Sequence, residues 1–374
     1  MLLLPDQLVQ QIHDSPTRIV LAATGGGSRA IADLLEVPGG SRTLLEAVIP
    51  YSAPAMAAFL GGRPDEFCSA ATARAMAMTA FHRARRYEEP GAEPAGIACA
   101  ASLATDRPKR GPHRVYAALQ TATMTAAWWL QLHKDRRTRA EEERLVGRLL
   151  LNVIAEACGV ESRLPIDLLE GEHVEATRTL APRPWQDLLL GKAEIVRLGK
   201  GVGPTGAIFP GAFNPLHDAH RRMIQLAQEI LRQPVAAEIS IVNVDKPPLD
   251  YAEIERRLGQ FSAEQPVYLT RAATFEEKSR LFPGATFVIG ADTLRRITVP
   301  RYYGENLAAC QCAVEQIVER GCRFLVFGRD LGTGFVRLAD LDLPEQLRAI
   351  CREVPLEVFR EDVSSTALRQ SDGL

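Results

Sequence analysis

The chain has no surplus of charge of either sign. Forty-four lysines and arginines stand against 46 aspartates and glutamates, a net of −2. No global basic field therefore draws it to nucleic acid or to an anionic membrane. It also has no apolar run near the ~20 residues that a membrane helix needs; the stretch 122–132 is short and carries polar breaks. Met1–Pro5 is apolar but far shorter than a signal h-region, and Asp6 follows at once. A cytoplasmic location is the expectation. Paired cysteines are missing as well. The seven cysteines are scattered, and only Cys310 and Cys312 fall close together. That fits incidental thiols in a reducing compartment and offers no zinc spacing, so no metal site is assigned.

What is present is 374 residues with 46% hydrophobic and 24% charged side chains, ordinary for two or three soluble domains. Strand-like and helix-like segments alternate throughout, which predicts an α/β layer fold in two domains. Residues 1–160 form the first. A short helix over 5–17 precedes a β-run, Arg18–Ala23, which ends in Thr24-Gly-Gly-Gly-Ser28 and leads into a helix, Arg29–Leu35. A second β-run covers Thr43–Tyr51, and helices follow at about 53–60 and 69–85. Ala95–Leu103 reads as a central strand of small residues. His113–Thr121 reads as a further strand that Thr123–Leu132 continues, and Arg136–Cys158 as a long amphipathic helix. Residues 161–203 form a connector with a stiff Ala181-Pro-Arg-Pro-Trp185 stretch. The second domain spans 204–374. Its strands are expected at Gly206–Phe209, Ala237–Asn243, Val267–Thr270, Ala285–Asp292, Cys322–Arg329 and Leu356–Phe359, in a mainly parallel, Rossmann-like sheet.

Two places share one form, a strand feeding a glycine turn and a helix start: Thr24–Ser28 and Gly211–His220. The first N–H groups of a helix lack intrahelical partners and carry partial positive charge, which suits a phosphate. A glycine cluster such as Gly25-Gly26 also serves as a plain tight turn. The second place adds His217 and His220, three apart and so on one helix face. A lone histidine there would usually be a structural hydrogen-bonder. Asp292 closes a strand and also fits as an N-cap, and Lys246 also fits as a solvated surface lysine.

The N-terminal domain resembles the CinA C-terminal family, known for nicotinamide-nucleotide amidase activity. The resemblance rests on Ala22–Ser28, the turn Val37–Ser41, Tyr51-Ser52 and the helix around Ala71–Ala80. Where that family reads A-E-S-C-T-G-G with a serine nucleophile, this chain has Ala23 and Thr24 at the Glu and Ser positions. Met56 stands at the family's lysine, and Ser102–Arg107 replaces its T-G-I-A-G-P stretch. A hydroxyl nucleophile needs an activating neighbour. The comparison therefore implies a degenerate amidase with a vestigial site at Thr24, Gly25, Gly26 and Tyr51, kept for ligand binding or oligomerisation.

Residues 204–374 resemble the nucleotidyltransferase superfamily, and within it the nicotinamide/nicotinate mononucleotide adenylyltransferases. Three separated motifs carry this. Gly211–His220 is similar to G-x-F-[DN]-P-x-H-x-x-H, Phe287–Leu294 to the G-x-D strand end, and Val363–Arg369 to I-S-S-T-x-x-R. The resemblance implies transfer of AMP from ATP to a pyridine mononucleotide with release of pyrophosphate. His217, His220 and Arg369 would be catalytic. Gly211, Ala212, Phe213, Ser364, Ser365 and Thr366 would hold ATP phosphates, and Asn214, Asp292, Lys246 and Arg257 the mononucleotide. Mg²⁺ would enter with ATP. The alternatives are a cytidylyl- or adenylyltransferase for another phosphorylated metabolite, or a non-catalytic nucleotide-binding regulator. The expected partners are ATP, a phosphorylated small molecule and a second copy of the chain.

Overall fold

The computed structural model describes residues 3–87, 91–107, 109–200, 206–243, 247–330 and 334–359. The chain divides into two compact α/β units, 1–186 with 245–253, and 187–244 with 254–374.

The first unit contains α1 (Pro5–His13), β1 (Thr17–Thr24), α2 (Ser28–Glu36), β2 (Leu44–Val48), α3 (Ala53–Leu60), α4 (Ala70–Tyr87), β3 (Glu93–Ser102), β4 (His113–Gln120), β5 (Met124–Leu132), α5 (Arg139–Ala157) and β6 (Val174–Leu180). Its six-stranded sheet runs β2-β1-β3-β4-β5-β6. The β2, β1 and β3 strands are parallel, and the remaining pairs antiparallel. The period-2 alternation of strands sorts side chains to two faces. Ile19, Leu21, Ile97 and Cys99 join the larger core, which includes residues of α1, α2 and α5. Ala22, Ala98, Ala100 and Ala118 face residues of α3 and α4. This second face is small by design of the sequence: a Cβ at Gly96 would lie 2.0 Å from the Ala77 carbonyl oxygen of α4. The stretch 113–132 is not one continuous strand. Residues 121–124 turn, with Thr121 N–H donating to Met124 O at 2.9 Å, and β5 returns against β4.

The connector expected over 161–203 is folded and divided. Its first part contributes β6 to the first sheet; α6 (Arg183–Leu190) follows, and β7 (Ile195–Leu198) joins the second sheet. Residues around 250, expected in the second domain, group with the first unit. There Asp250 pairs with Arg74 at 3.0 Å, and Tyr251 donates its N–H to Thr125 Oγ1 and its hydroxyl to Ala122 O.

The second unit continues with β8 (Ala207–Pro210), α7 (Asp218–Leu231), β9 (Val235–Ser240), α8 (Tyr251–Leu258) from Ile254 onward, β10 (Val267–Thr270), α9 (Phe275–Leu281), β11 (Thr286–Gly290), α10 (Ala291–Ile297), α11 (Leu307–Glu319), β12 (Arg323–Phe327), β13 (Arg329–Asp330), β14 (Phe335–Val336), α12 (Glu345–Ala349) and β15 (Cys351–Glu353). Among the described residues the last strand is β15, a few residues before the expected 356–359, where the chain turns instead. The seven-stranded order is β15-β12-β11-β8-β9-β10-β7. All neighbours are parallel except the edge strand β7. Parallel strands are buried on both faces and read as continuous apolar runs, as Phe287-Val-Ile289 and Phe324–Phe327 do. From β8 the chain winds outward through β9 and β10, then crosses back to β11 on the other side of β8. That reversal is a topological switch point, and crevices in open α/β sheets form at the carboxyl ends of strands there.

Candidate active site

The carboxyl end of β8 runs directly into the histidine loop. Gly211 N–H donates to Glu238 O of β9 at 2.9 Å, extending the ladder one residue past the strand. Phe213 then adopts φ 45°, a left-handed conformation rare for a bulky side chain. Its ring is fully buried, edge-on to Phe209, Phe261 and His220 at centroid distances of 5.2–5.4 Å. Gly211 is glycine for that ring's sake, because a Cβ there would come within 2.6 Å of it. Gly211 was expected among the residues that hold ATP phosphates; the packing gives it an internal task as well.

Residues from α8 onward clamp the loop. Gln260 donates to Phe213 O at 2.9 Å and accepts from Leu216 N–H at 2.8 Å. Arg257 Nη1 donates to Ala212 O at 3.0 Å, and Arg256 donates to Asn214 Oδ1. Arg257 and Asn214 were expected on the mononucleotide. Here Arg257 holds the loop backbone and Asn214 accepts from Arg256, so both help to hold the shape of the histidine motif. Such a clamp can hold Phe213 in its strained conformation.

His217 sits just before α7 and His220 in its first turn. Their rings stack with centroids 3.7 Å apart. His217 N–H donates to His220 Nδ1 at 3.4 Å. An accepting Nδ1 leaves the ring proton of His220 on Nε2, which makes Nε2 a donor. Burial, then His217, then Arg329 push the His220 pKa down to about 3. Burial and then Arg329 lower that of His217, against a smaller raising effect from Asp218. Both rings are therefore neutral at pH 7: they offer hydrogen-bond donors at a helix start, not charge.

Across the switch point, β11 ends at Gly290, and α10 begins at Ala291 with Gly290 as its cap. Asp292 lies inside the first turn, so the N-cap alternative for it does not apply. Its Oδ1 is shielded from solvent and accepts no hydrogen bond, with Arg329 Nη1 3.8 Å away. Arg329, just past the end of β12, was not among the expected site residues. The signal that could have found it is a cation at the carboxyl end of a buried apolar run. Gln260 had no such signal. The structure thus brings together His217, His220, Asp292 and Arg329. Lys246, Ser364, Ser365, Thr366 and Arg369 lie outside the described residues.

The other glycine turn is differently filled. Arg139 of α5 donates to Gly25 O at 3.0 Å. Glu143 Oε1 accepts from Ser28 Oγ at 2.8 Å and from Arg29 N–H at 3.1 Å. The N-terminus of α2 already holds a carboxylate from its own chain, in the role an anionic ligand would take. The glycines are packing requirements: a Cβ would lie 1.8 Å from Ala101 O at Gly25, 2.7 Å from Leu103 at Gly26 and 2.4 Å from Leu150 at Gly27. Thr24 ends β1, Met56 is a core residue, and Tyr51 is exposed.

Residues 208–371 match the cytidylyltransferase-like family model. The C-terminal unit carries a nucleotidyltransferase-superfamily domain. The match begins within β8 and takes in every strand from there to the end of the described chain, together with the whole histidine loop. Among solved structures, the competence/damage-inducible protein CihA from Agrobacterium tumefaciens is 19% identical, over 42% of this chain and 98% of its own, with a TM-score of 0.35. A competence or damage-inducible protein from Enterobacter asburiae is 16% identical, over 41% and 96%, at 0.34. A CinA superfamily protein from Escherichia coli is 15% identical, over 41% and 90%, at 0.32. No curated protein sequence matches the chain. No helix among the described residues is long and apolar enough to cross a membrane.

Proposed function

We propose that the C-terminal unit transfers AMP from ATP to nicotinamide or nicotinate mononucleotide, releasing pyrophosphate. The observation that carries this is the neutral, stacked His217–His220 pair at a helix start, beside Asp292 and Arg329, at the switch point of a nucleotidyltransferase-superfamily sheet. Adenylyl transfer needs no protein nucleophile. An acceptor phosphate oxygen attacks the α-phosphorus in line, and catalysis is positioning plus stabilisation of phosphate charge. Neutral imidazoles suit that task, because they donate hydrogen bonds to phosphate oxygens without having to lose a proton. Asp292 would accept from the second substrate through its unmatched oxygen. Ser364–Thr366 and Arg369 would hold the terminal phosphates.

Mg²⁺ would arrive with the triphosphate. Phosphate oxygens and water would be its main ligands. The metal would neutralise phosphate charge. In this proposal the N-terminal unit is not an amidase, since Thr24 has lost the neighbours an activated hydroxyl needs; it would serve in assembly of the chain with a second copy.

The test offers ATP or CTP to the purified protein, together with nicotinamide mononucleotide, nicotinate mononucleotide, phosphopantetheine, or glycerol and choline phosphates, and follows pyrophosphate. Dinucleotide formation from ATP and a pyridine mononucleotide is the expected result. Pyrophosphate release only with CTP or a different phosphomonoester would replace the substrate assignment, and no release with any pair would remove the enzyme assignment.

A further inference from the structure

The histidine pair contributes donors but no positive charge at neutral pH, while the chemistry in view gathers negative charge on phosphoryl oxygens. Among the described residues, the cation that acts on both histidines is Arg329. Its position is set by the backbone: β12 pairs in parallel with β11 up to Gly290↔Phe327, and Arg329 follows two residues later. A Cβ at Gly290 would lie 3.7 Å from Arg329 Cδ and Nη1 and 2.6 Å from Asp292 Oδ1, so the guanidinium and the carboxylate meet over the bare end of β11. They are not tightly joined. The 3.8 Å separation exceeds a hydrogen bond, both side chains are partly exposed at 27% and 21%, and Asp292 Oδ1 stays unsatisfied. Committed ion pairs elsewhere in the unit differ: Lys278 Nζ lies 2.8 Å from both oxygens of Glu238, and Arg320 2.8 Å from Glu276.

We propose that Arg329 is a phosphate-binding catalytic residue of this site, parked loosely on Asp292 until a substrate phosphoryl group draws its guanidinium away. The inference rests on the nucleotidyltransferase function proposed above. In the transfer step, a new bond forms between an acceptor phosphate oxygen and the α-phosphorus. The bond from that phosphorus to the bridging oxygen breaks, and its electron pair leaves with pyrophosphate. No proton has to move. Arg329 supplies fixed charge as negative charge shifts toward the leaving group, and its planar donors match phosphate oxygens in pairs. Release from Arg329 would also free Asp292 to accept from the second substrate, which couples filling of the two subsites.

The test compares the full-length protein with R329A and R329K, each first checked for an unchanged unfolding midpoint. Three readouts are needed. The first is kcat and KM for ATP and for the acceptor. R329A is expected to lose roughly 10²–10³-fold in kcat, with partial recovery in R329K and on adding free guanidinium ion to R329A, as a merely structural arginine would not give. The second is equilibrium binding of inorganic pyrophosphate, which does not depend on turnover and should weaken at least about tenfold in R329A, the scale of one lost charged hydrogen bond. The third is the titration of the histidine ring protons by NMR. The charged groups that act on the rings are Asp218 on α7, which raises His217, and Arg329, which lowers both, so removing Arg329 should move both histidine titrations to higher pH.

Wild-type pyrophosphate binding and kcat retained in R329A overturn the inference, as does a loss that guanidinium does not rescue and that leaves the histidine titration in place. If the wild-type protein transfers no nucleotide, the proposed function fails. The pyrophosphate arm then still decides whether Arg329 binds phosphate, and failure of the wild-type protein to bind pyrophosphate overturns the inference too.

Discussion

His220 sits against Phe209 and Phe213, stacked on His217, and this packing makes the site's chemistry depend on pH. In the unfolded chain an imidazole takes its proton near pH 6.5; in the folded chain that of His220 waits until about 3. Between these values the unfolded chain binds more protons, so stability is fully present above about 6.5 and is lost as pH falls toward 3. Denaturant titrations at pH 7 and pH 4.5 should show this fall, and H220Q should flatten it. For catalysis, H217A and H220A should each lower kcat by roughly 10²–10³-fold in pyrophosphate release; activity that survives both changes would show that the histidines only support the loop. The pairing of the two rings was legible in the sequence because histidines three apart at a helix start must share a face. Arg257 has a contact that the sequence left open, for a physical reason. A helix arginine can reach any acceptor within its long stem, and only the folded chain shows that Ala212 O is that acceptor.

The histidine loop is held from below by a phenylalanine ring and from the side by Gln260. G211A would drive a Cβ to 2.6 Å from the Phe213 ring. It should cost about 1–3 kcal/mol, the usual range for overpacking, measurable as a lower thermal midpoint, and should reduce transfer as the histidines shift. The buried Lys278–Glu238 pair, with Thr270 Oγ1 donating to Glu238 Oε1 at 2.5 Å, ties α9 to β9 and β10. K278M leaves Glu238 buried and without its cation, and a loss of about 3–5 kcal/mol is expected by chemical denaturation. At this scale the strands and helices were mostly visible as apolar runs and amphipathic stripes. The β4–β5 hairpin was not. Its turn residues, Thr121-Ala-Thr-Met124, include no Gly, Pro, Asn or Asp, and those are the residues that usually announce a reversal.

The chain is two α/β units whose boundaries do not follow the simplest cut in the sequence. A fragment 204–374 would lack β7 and so expose the backbone edge of β10, whereas 187–374 retains that strand. The longer fragment is expected to show the higher thermal midpoint and the slower limited proteolysis; equal behaviour would mean that β7 contributes nothing to the second sheet. By itself the sequence determined that the chain is α/β throughout and that it holds two strand–glycine–helix turns. It also determined that only the second turn carries a pair of histidines. Those properties follow from local periodicity and residue type, which need no partner from elsewhere in the chain. Tertiary structure alone decided the rest. It supplied Glu143 to the first helix start and left the second with two neutral donors. It also set Arg329 beside Asp292 over the end of β11. The physical reason is that strand order in a sheet joins residues distant in sequence, and that desolvation, which keeps the histidines neutral, exists only once the surrounding rings have closed around them.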